Sequence, residues 1–421
     1  MTRLLSPSLS PNVTIKDVWL ATKLLFSPWN WYSLKAVLDL TQKFSETVDV
    51  SPECVFPVIS GRSGISQALS AYNISEGDEV IMQAFNCVAV VNAIQWVKAT
   101  PIIVDIEQDT LCLSFKQIRE HVTPQTKAII LQHTFGLVVP QLEEIVAFAH
   151  DNGIMVIEDC AHALGATHHQ KSVGTFGDIG IFSFGRDKII SSVFGGIIVV
   201  NDPQKVSELR HKITVLQPVN RGWIIKQLFH PIITYVSIVT YTWFGCGKFV
   251  HWLFSHTGII SKATSREEKS CGQRPLWTTR AYPGALAVLA MRQLDQLEAM
   301  NTRRLEIAHA YAQAGIPCIQ PDTSGRVWLR YAVFSERVEQ MYAYFLAQHI
   351  VLGDWYDQVV APKQVDLSKT GYQIGSAPHA EEVCAHVVNL PVYQRMSGND
   401  IQRVVSVYDQ YRTHYGDKTS N

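Results

Sequence analysis

Two side chains that follow apolar runs of the sequence are suited to chemistry on a cofactor. Asp159 closes the run IMVIEDC, and Lys188 follows the run IGIFSFG. A carboxylate at the end of a buried strand is stabilised by a cationic partner, such as the protonated nitrogen of a pyridine ring. A lysine held as a free amine attacks an aldehyde. Taken alone, each residue also fits an ordinary role: a helix cap for Asp159 and a solvated surface lysine for Lys188.

An anion-binding turn is predicted at SGRSG, residues 60–64. The helix-like run ISQALSAY follows it, so backbone N–H groups, the hydroxyls of Ser60 and Ser63 and the side chain of Arg62 lie at a helix N-terminus. Ser183 adds a hydroxyl for the same anion. On its own, this turn is better explained as a plain helix cap.

The order of these features along the chain points to pyridoxal phosphate (PLP). The anion-binding turn comes first, followed by an aromatic residue, Phe85, then by Asp159 and Lys188. PLP presents a phosphate, a flat ring, a ring nitrogen and an aldehyde, and the protein must supply a group for each. The combination therefore predicts a PLP site.

Short apolar runs position these residues. EVIMQAF, PIIVDI, AIILQHTFG and IMVIEDC are too apolar for half-exposed strands, and helical stretches separate them. This α/β pattern predicts a mostly parallel sheet covered by helices, with functional side chains beyond the carboxyl ends of the strands. Phe85, His133, Asp159 and Lys188 occupy such positions.

The sequence further divides into segments of different character. We predict an N-terminal helical segment (1–54), a large PLP-binding domain (55–208), an aromatic-rich insertion (209–273), a linking helix (274–316) and a small C-terminal α/β domain (317–421).

Five stretches resemble the DegT-type (DegT/DnrJ/StrS) nucleotide-sugar aminotransferases: VIEDCAHALGA, VGTFGDIGIFSFGRDK, FGGIIVVND, TPQTKAIILQHTFG and SGRSGISQAL. The resemblance is strong over 60–202 and looser over 280–407. It implies a fold-type-I, aspartate-aminotransferase-like PLP transferase that acts as a homodimer. It also implies transfer of an amino group from glutamate to a keto sugar in polysaccharide or glycan biosynthesis.

The resemblance implies roles for individual residues. Lys188 corresponds to the lysine that carries PLP as a Schiff base, Asp159 to the partner of the ring nitrogen, and His162 to the residue beside the phenolic oxygen of the ring. The family's dehydratase branch has histidine at the position of Lys188, so the lysine separates this chain from that branch. The positions expected to bind the phosphate are Gly61, Arg62, Ser63 and Ser183.

Three features depart from the family pattern. The asparagine-containing loop that the neighbouring subunit contributes in the family is not recognisable in LWTTRAYPG, residues 276–284, where Arg280 is the candidate replacement. Cys87 stands where the family stacks an aromatic residue on the PLP ring, so either Phe85 takes that role or the thiol packs against the ring. Arg62 stands where threonine is common, which would give the phosphate a charged donor.

The composition excludes some classes of function. Lys and Arg total 36 against 37 Asp and Glu, so no broad basic field favours nucleic acid. The 8 cysteines show no CxxC pair and no histidine at zinc-ligand spacing. We therefore expect free thiols, no metal site and a cytoplasmic protein.

The aromatic-rich insertion has two interpretations. Its longest uncharged run is shorter than the roughly 20 apolar residues of a spanning helix. Amphipathic helices across 221–260 would lie in the membrane interface, with Trp223, Trp243 and Trp252 near the headgroups, at the inner face of the membrane. The sugar substrate would then be lipid-linked. Alternatively, the aromatic residues pack against the other subunit or form a lid over the active site.

Two other functions remain open at this stage. Another fold-type-I PLP enzyme, acting on a different carbonyl or amino-acid substrate, would keep the same lysine and aspartate. A non-catalytic membrane-associated scaffold would keep the fold alone.

Overall fold

The computed structural model describes residues 3–8, 10–241, 243, 246–256 and 260–416. The strands are β1 Val55–Val58, β2 Glu79–Gln83, β3 Asn86–Cys87, β4 Thr100–Val104, β5 Thr126–Gln132, β6 Met155–Asp159, β7 Thr167–His168, β8 Lys171–Ser172, β9 Ile179–Ser183, β10 Gly196–Val200, β11 Tyr331–Phe334, β12 Val360–Ala361 and β13 Val387–Leu390. The α-helices are α1 Ile15–Leu25, α2 Leu34–Val48, α3 Gly61–Ala71, α4 Val88–Gln95, α5 Phe115–His121, α6 Leu142–Asp151, α7 Val206–Thr214, α8 Arg221–Val239, α9 Cys246–His256, α10 Arg266–Lys269, α11 Gly284–Leu294, α12 Leu297–Gln313, α13 Val338–Ala347, α14 Pro378–His386 and α15 Gly398–Tyr415.

A seven-stranded sheet forms the centre of the fold, in the order β1-β10-β9-β6-β5-β2-β4. β10 runs antiparallel to both of its neighbours, whereas the strands from β9 to β4 pair in parallel. The predicted α/β class with a mostly parallel sheet is confirmed. The apolar runs become strands that are covered on both faces, which is why their sequences do not alternate.

Neighbouring residues of one strand enter different cores. Ile129 of β5 packs with α2, α6 and α11 on one face of the sheet, and Ile130 packs with α3 and α4 on the other. A third core joins β11, β13, α12, α13 and α15, with Phe345 and Tyr411 fully buried in it. The central sheet is thus held rigidly between two apolar layers, and its strand ends are fixed in space.

The stretch predicted as one linking helix is two helices. α11 ends at Leu294 and α12 begins at Leu297. Leu286 of α11 packs in the first core of the central sheet, whereas Tyr311 of α12 packs in the C-terminal core. The break lets the two helices serve different cores. The domain boundaries themselves stay predictions.

The aromatic-rich insertion is largely helical. α8 packs against α1 and α9 packs against α8. Trp223 points inward, where its ring lies 5.5 Å from Phe194 and 6.2 Å from Trp277, so the expectation of Trp223 near lipid headgroups is wrong. Within the described part of the chain, no helix has both the length and the apolar character needed to traverse a bilayer.

Candidate active site

The carboxyl ends of the central strands and the start of α3 form the walls of a cleft. Asp159 ends β6 and Ser183 ends β9. α3 begins at Gly61, where an added Cβ would lie 3.4 Å from the Cβ of Ser183. The cleft measures about 920 Å³ including its open mouth. Among the residues that line it are Ser60, Gly61, Arg62, Cys87, Asp159, His162, Ser183, Arg186, Lys188, Trp355 and Tyr356.

Lys188 and His162 meet in this cleft. Nζ of Lys188 lies 3.0 Å from Nε2 of His162. The backbone N–H of Phe135 donates to Nδ1 of the same ring at 3.3 Å, which leaves the proton of the neutral imidazole on Nε2. Burial lowers the pKa of His162 well below its usual value, and Lys188 and Arg330 act in the same direction. The neutral ring and the Lys188 amine are thus in direct contact through Nε2 and Nζ.

Asp159 is a buried carboxylate with little compensation. Its Oδ1 accepts a hydrogen bond from the backbone N–H of Ala161 at 3.0 Å. Burial raises the pKa of Asp159, against the opposing influence of that hydrogen bond and of Lys188. A carboxylate in this condition is stabilised by a cationic ligand, and a protonated ring nitrogen is one.

The preceding residue, Glu158, points to the opposite face of the strand and is fully buried. Its carboxylate accepts hydrogen bonds from the N–H groups of Gly174 (2.8 Å), Phe176 (2.6 Å) and Gly177 (2.8 Å) and from Nε2 of His133 (3.2 Å). His133 carries its proton on Nε2, because its Nδ1 accepts from the backbone N–H of Val139. The sequence placed His133 among the candidate functional residues. In the structure it instead stabilises the buried carboxylate of Glu158.

Ser60 caps α3 at another part of the cleft. Its Oγ accepts from the backbone N–H of Ser63 at 3.2 Å and lies 2.8 Å from the Ser63 hydroxyl. Ser63 is fully buried, so its hydroxyl serves the cap, and Ser60 takes its expected place along the cleft. The first N–H groups of α3, beginning with Gly61, have no partner within the helix. Together with the hydroxyl of Ser183 they form a set of donors suited to a phosphate.

The guanidinium of Arg62 is bound by the insertion. It forms an ion pair with the fully buried Glu268 and donates to the carbonyl oxygen of Ala263 at 2.7 Å. The ring of Trp277 lies 5.6 Å away. Arg62 was expected to be a charged donor for the phosphate, but Glu268 already neutralises its charge. Ala263 and Thr264 line the cleft, so the insertion contributes one of its walls.

The two residues expected to pack on the PLP ring are in different layers. Cys87 lines the cleft at the start of α4. Phe85 is fully buried behind the wall, with φ of 59°, and its ring meets Phe135 and Tyr356 edge-on at 5.9 and 5.2 Å. Cys87 is therefore better placed than Phe85 to touch a ligand.

The C-terminal third supplies residues that the sequence did not reveal. The hydroxyl of Tyr356 lies 3.4 Å from Nε2 of His162, and Trp355 lines the cleft beside it. The guanidinium of Arg330 lies 3.8 Å from the Trp355 ring and pairs with Asp187 at 3.3 Å. The adjacent aromatic residues in GDWYDQ were the one available signal, and nothing nearby in the sequence relates them to Lys188.

Asn12 fixes the backbone on which Lys188 stands. Its Nδ2 donates to the carbonyl oxygens of Lys188 at 2.7 Å and of Ile189 at 3.0 Å. Nη2 of the buried Arg304 donates to Oδ1 of Asn12 at 2.8 Å. This network also joins distant parts of the chain, and no local pattern predicts it.

The chemistry of the donor set fits PLP. The N-terminus of α3 and Ser183 suit the phosphate, the buried carboxylate of Asp159 suits the protonated ring nitrogen, and the amine of Lys188 suits the aldehyde. In its fold and in this arrangement, the protein has the architecture of the fold-type-I PLP-dependent transferases.

Comparisons with known proteins agree. The model of the DegT/DnrJ/EryC1/StrS aminotransferase family matches residues 21–222 and 284–408. GDP-perosamine synthase of Escherichia coli O157:H7 is 38% identical over 47% of this chain and 53% of its own length. UDP-N-acetyl-3-dehydro-alpha-D-glucosamine 3-aminotransferase of Acidithiobacillus ferrooxidans is 40% identical over 36% and 41%. A Streptococcus pneumoniae protein solved in a PLP form superimposes with a TM-score of 0.71 at 18% identity, covering 98% of this chain and 99% of the other.

The chain belongs to the DegT/DnrJ/EryC1/StrS aminotransferase family. The resemblance seen in the sequence is thereby confirmed. These matches span about half or less of the length of the curated relatives. The family match is interrupted between residues 222 and 284, across α8, α9 and α10.

Proposed function

We propose that this protein is a PLP-dependent aminotransferase that transfers an amino group from glutamate to a nucleotide-linked keto sugar. The observation that carries the proposal is the meeting of Lys188 Nζ with Nε2 of His162 at 3.0 Å, in the cleft that Asp159 also lines. Family membership and the names of the curated relatives, one a GDP-sugar synthase and one a UDP-sugar aminotransferase, support the substrate class.

Each of the three residues has a defined task in this proposal. Nζ of Lys188 would hold the cofactor through its aldehyde, and the same Nζ would take the proton from Cα of the donor. Asp159 keeps a proton on the ring nitrogen, and Nε2–H of His162 orients Nζ. Bound PLP supplies the electron sink.

The absorbance spectrum of the purified protein with added PLP tests the proposal. We expect a visible band that disappears into the near ultraviolet on addition of glutamate and returns on addition of a keto sugar nucleotide. Lys188→Ala should lack the band, and Lys188→Arg controls for loss of the positive charge. Glutamine, tested in parallel, identifies the donor.

The other outcomes separate the alternatives. A band that ignores both amino donors would favour a different PLP reaction. If the folded protein showed no band, it would not bind PLP as a Schiff base, and a non-catalytic role would be favoured. If only a lipid-linked keto sugar restored the band, the acceptor would be lipid-linked and not nucleotide-linked.

A second copy of the chain is the proposed partner of α1 and α2. Phe26 and Trp29, between these helices, are 77% and 74% exposed, and Trp19 and Leu34 add to the same apolar region. Exposed aromatic clusters of this kind are typical of interfaces. Sedimentation of the wild type should give a dimer, and Phe26→Ser combined with Trp29→Ser should give monomers; an unchanged dimer would place the interface elsewhere.

Peripheral membrane contact is proposed for the α9 end of the insertion. The rings of Phe249 and Trp252 stack at 6.1 Å on the exposed side of α9, close to Lys248. Exposed aromatic residues beside a lysine are typical of helices that lie at lipid headgroups. Flotation with anionic liposomes should be lost in Phe249→Ser combined with Trp252→Ser and kept in Ile374→Ser, an even more exposed apolar site elsewhere. Equal flotation of all three proteins would exclude this contact.

A further inference from the structure

Arg186 is a buried cation in the wall of the cleft. It stands on the loop between Ser183 and Lys188 and is 8% exposed. Its Nη2 donates to the hydroxyl of Ser261 at 2.6 Å, and its guanidinium lies 5.0 Å from the ring of Phe194. Within the described residues, its Nε has no hydrogen-bond partner and no carboxylate lies within ion-pair distance.

Leaving such a charge uncompensated is costly. Burial lowers the pKa of Arg186 to about 9, because the protein interior disfavours the charged form. The neighbouring carboxylate, Asp187, is paired with Arg330 and gives only partial relief. A buried cation without a counter-ion destabilises the protein unless a ligand supplies the negative charge. Arg186 therefore indicates an anion in the cleft.

The contrast with Arg62 identifies which cation is available. Both guanidinium groups lie along this cleft, and repulsion from Arg62 adds to the lowering of the Arg186 pKa that burial causes. Arg62 has an ion-pair partner in the buried Glu268, so it brings no net charge to a ligand. Arg186 has a hydroxyl from the insertion in place of a carboxylate, so its full charge remains for the ligand.

We propose that Arg186 is the charged ligand of a phosphate ester in this cleft, namely the phosphate of the bound cofactor, and that Ser261 of the insertion orients its guanidinium. The proposal rests on the proposed function. The neutral donors of the phosphate position, at Gly61 and Ser183, line the same cleft. A guanidinium adds two parallel N–H donors and the charge that neutral donors lack.

Ser261 connects this phosphate position to the insertion. Its hydroxyl accepts from Arg186 and donates to Oε1 of the buried Gln227 on α8 at 2.7 Å. The chain Gln227–Ser261–Arg186 fixes the guanidinium from the side of the insertion. In this arrangement, the segment that interrupts the family match contributes to cofactor binding.

Comparison of PLP with pyridoxal, which lacks the phosphate, tests the proposal. We would measure both dissociation constants by fluorescence quenching for the wild type, Arg186→Met, Arg186→Lys and Ser261→Ala. Arg186→Met should weaken PLP about 10- to 100-fold, the value of hydrogen bonds to a charged group, and leave pyridoxal unchanged. Arg186→Lys should recover part of the loss, and Ser261→Ala should show a smaller loss.

Arg326→Met is the matched control. Arg326 is 7% exposed, stacks on Trp328 at 3.5 Å and also has an unpartnered Nε, but it lies outside the cleft lining. Its substitution should leave the affinity for PLP unchanged. Equal weakening of PLP and pyridoxal in Arg186→Met would overturn the proposal, since it would indicate a structural role.

Two further outcomes are distinguishable. If Arg186→Met keeps its affinity for PLP but loses affinity for uridine diphosphate, the phosphate belongs to the sugar substrate, and the assignment to the cofactor is overturned. If the folded wild type binds neither PLP nor pyridoxal, the proposed function itself fails. If a variant folds poorly, thermal denaturation with and without inorganic phosphate replaces the titration. Arg186→Lys keeps the positive charge, so phosphate should stabilise it as well as the wild type. Stabilisation of the wild type alone would contradict a role that depends on charge.

Discussion

The two faces of β6 at its carboxyl end use the same chemical group in opposite ways. Glu158, on one face, is saturated by three backbone N–H groups and His133. Asp159, on the other face, accepts one hydrogen bond from Ala161 among the described residues and faces the cleft. The saturated carboxylate stabilises the fold, whereas the under-compensated carboxylate is held for a ligand. Residue type and burial alone do not separate structure from function; the count of donors does.

Glu158→Gln should have the largest effect on stability. The amide replaces one acceptor oxygen with an NH₂ group that faces N–H donors, so we expect the free energy of unfolding to fall by about 3–5 kcal/mol. Urea denaturation of the protein without cofactor measures this loss. Glu143→Gln, at an exposed carboxylate, is the control and should change little. An unchanged midpoint for Glu158→Gln would remove the distinction between the two faces.

Asp159→Asn should lower turnover without unfolding the protein. The asparagine cannot stabilise a protonated ring nitrogen by charge, so kcat should fall about 10²–10³-fold, as for loss of one electrostatic stabiliser. The visible band of bound PLP should persist, because Lys188 is unchanged. Single-turnover kinetics with glutamate measure the effect, and normal rates would show that the carboxylate serves another purpose.

The pH dependence of stability should have opposite signs at the two residues. The hydrogen bonds from His133 and the backbone outweigh burial and lower the pKa of Glu158. Its contribution is therefore present above the usual Glu value of 4.5 and is lost as the pH falls through the lowered value. Glu158→Gln should show a flatter profile in this acid range, measured by denaturation between neutral and acid pH.

Asp159 gives the mirror image of this behaviour. Its pKa is raised by burial, so ionisation destabilises the folded protein above the raised value, and the penalty disappears below the usual Asp value of 3.8. Without cofactor, Asp159→Asn should therefore be more stable than the wild type at neutral pH and equal to it in acid. A less stable Asp159→Asn at neutral pH would contradict this sign.

Cys87→Ala should have the smallest effect. The thiol offers packing to a ligand in the cleft and no charge, so we expect PLP affinity to fall only about fourfold, the value of one buried methylene-sized contact. Fluorescence titration with PLP measures the change. If PLP affinity fell in Cys87→Ala by as large a factor as kcat falls in Asp159→Asn, the thiol would have a chemical role.

The sequence predicts those parts of the site that lie at the ends of strands. Asp159, Ser183 and Lys188 each follow an apolar run, and parallel strands present such residues at one edge of the sheet. The N-terminus of α3 was predictable for a similar reason, from its glycine and serine residues. These features depend on local patterns, which one sequence contains.

Partners from distant segments could not be predicted in this way. Tyr356 and Asn12 reach Lys188 or His162 through the tertiary fold, and nothing near them in the sequence indicates the contact. The ion pair of Arg62 with Glu268 was likewise not predictable, because Glu268 belongs to the insertion. The position of the Phe85 ring behind the cleft wall depends on a backbone φ of 59°, which no local pattern of the sequence indicates.

The network around Asn12 has a consequence for the order in which the protein becomes competent. Asn12 is synthesised before Lys188, but Arg304, which holds its amide, lies 292 residues after Asn12 in the chain. The backbone of Lys188 therefore acquires its full support only after Arg304 has left the ribosome. Capture of the cofactor during translation would then report that the later segments have docked, and premature capture by a nascent chain would be disfavoured.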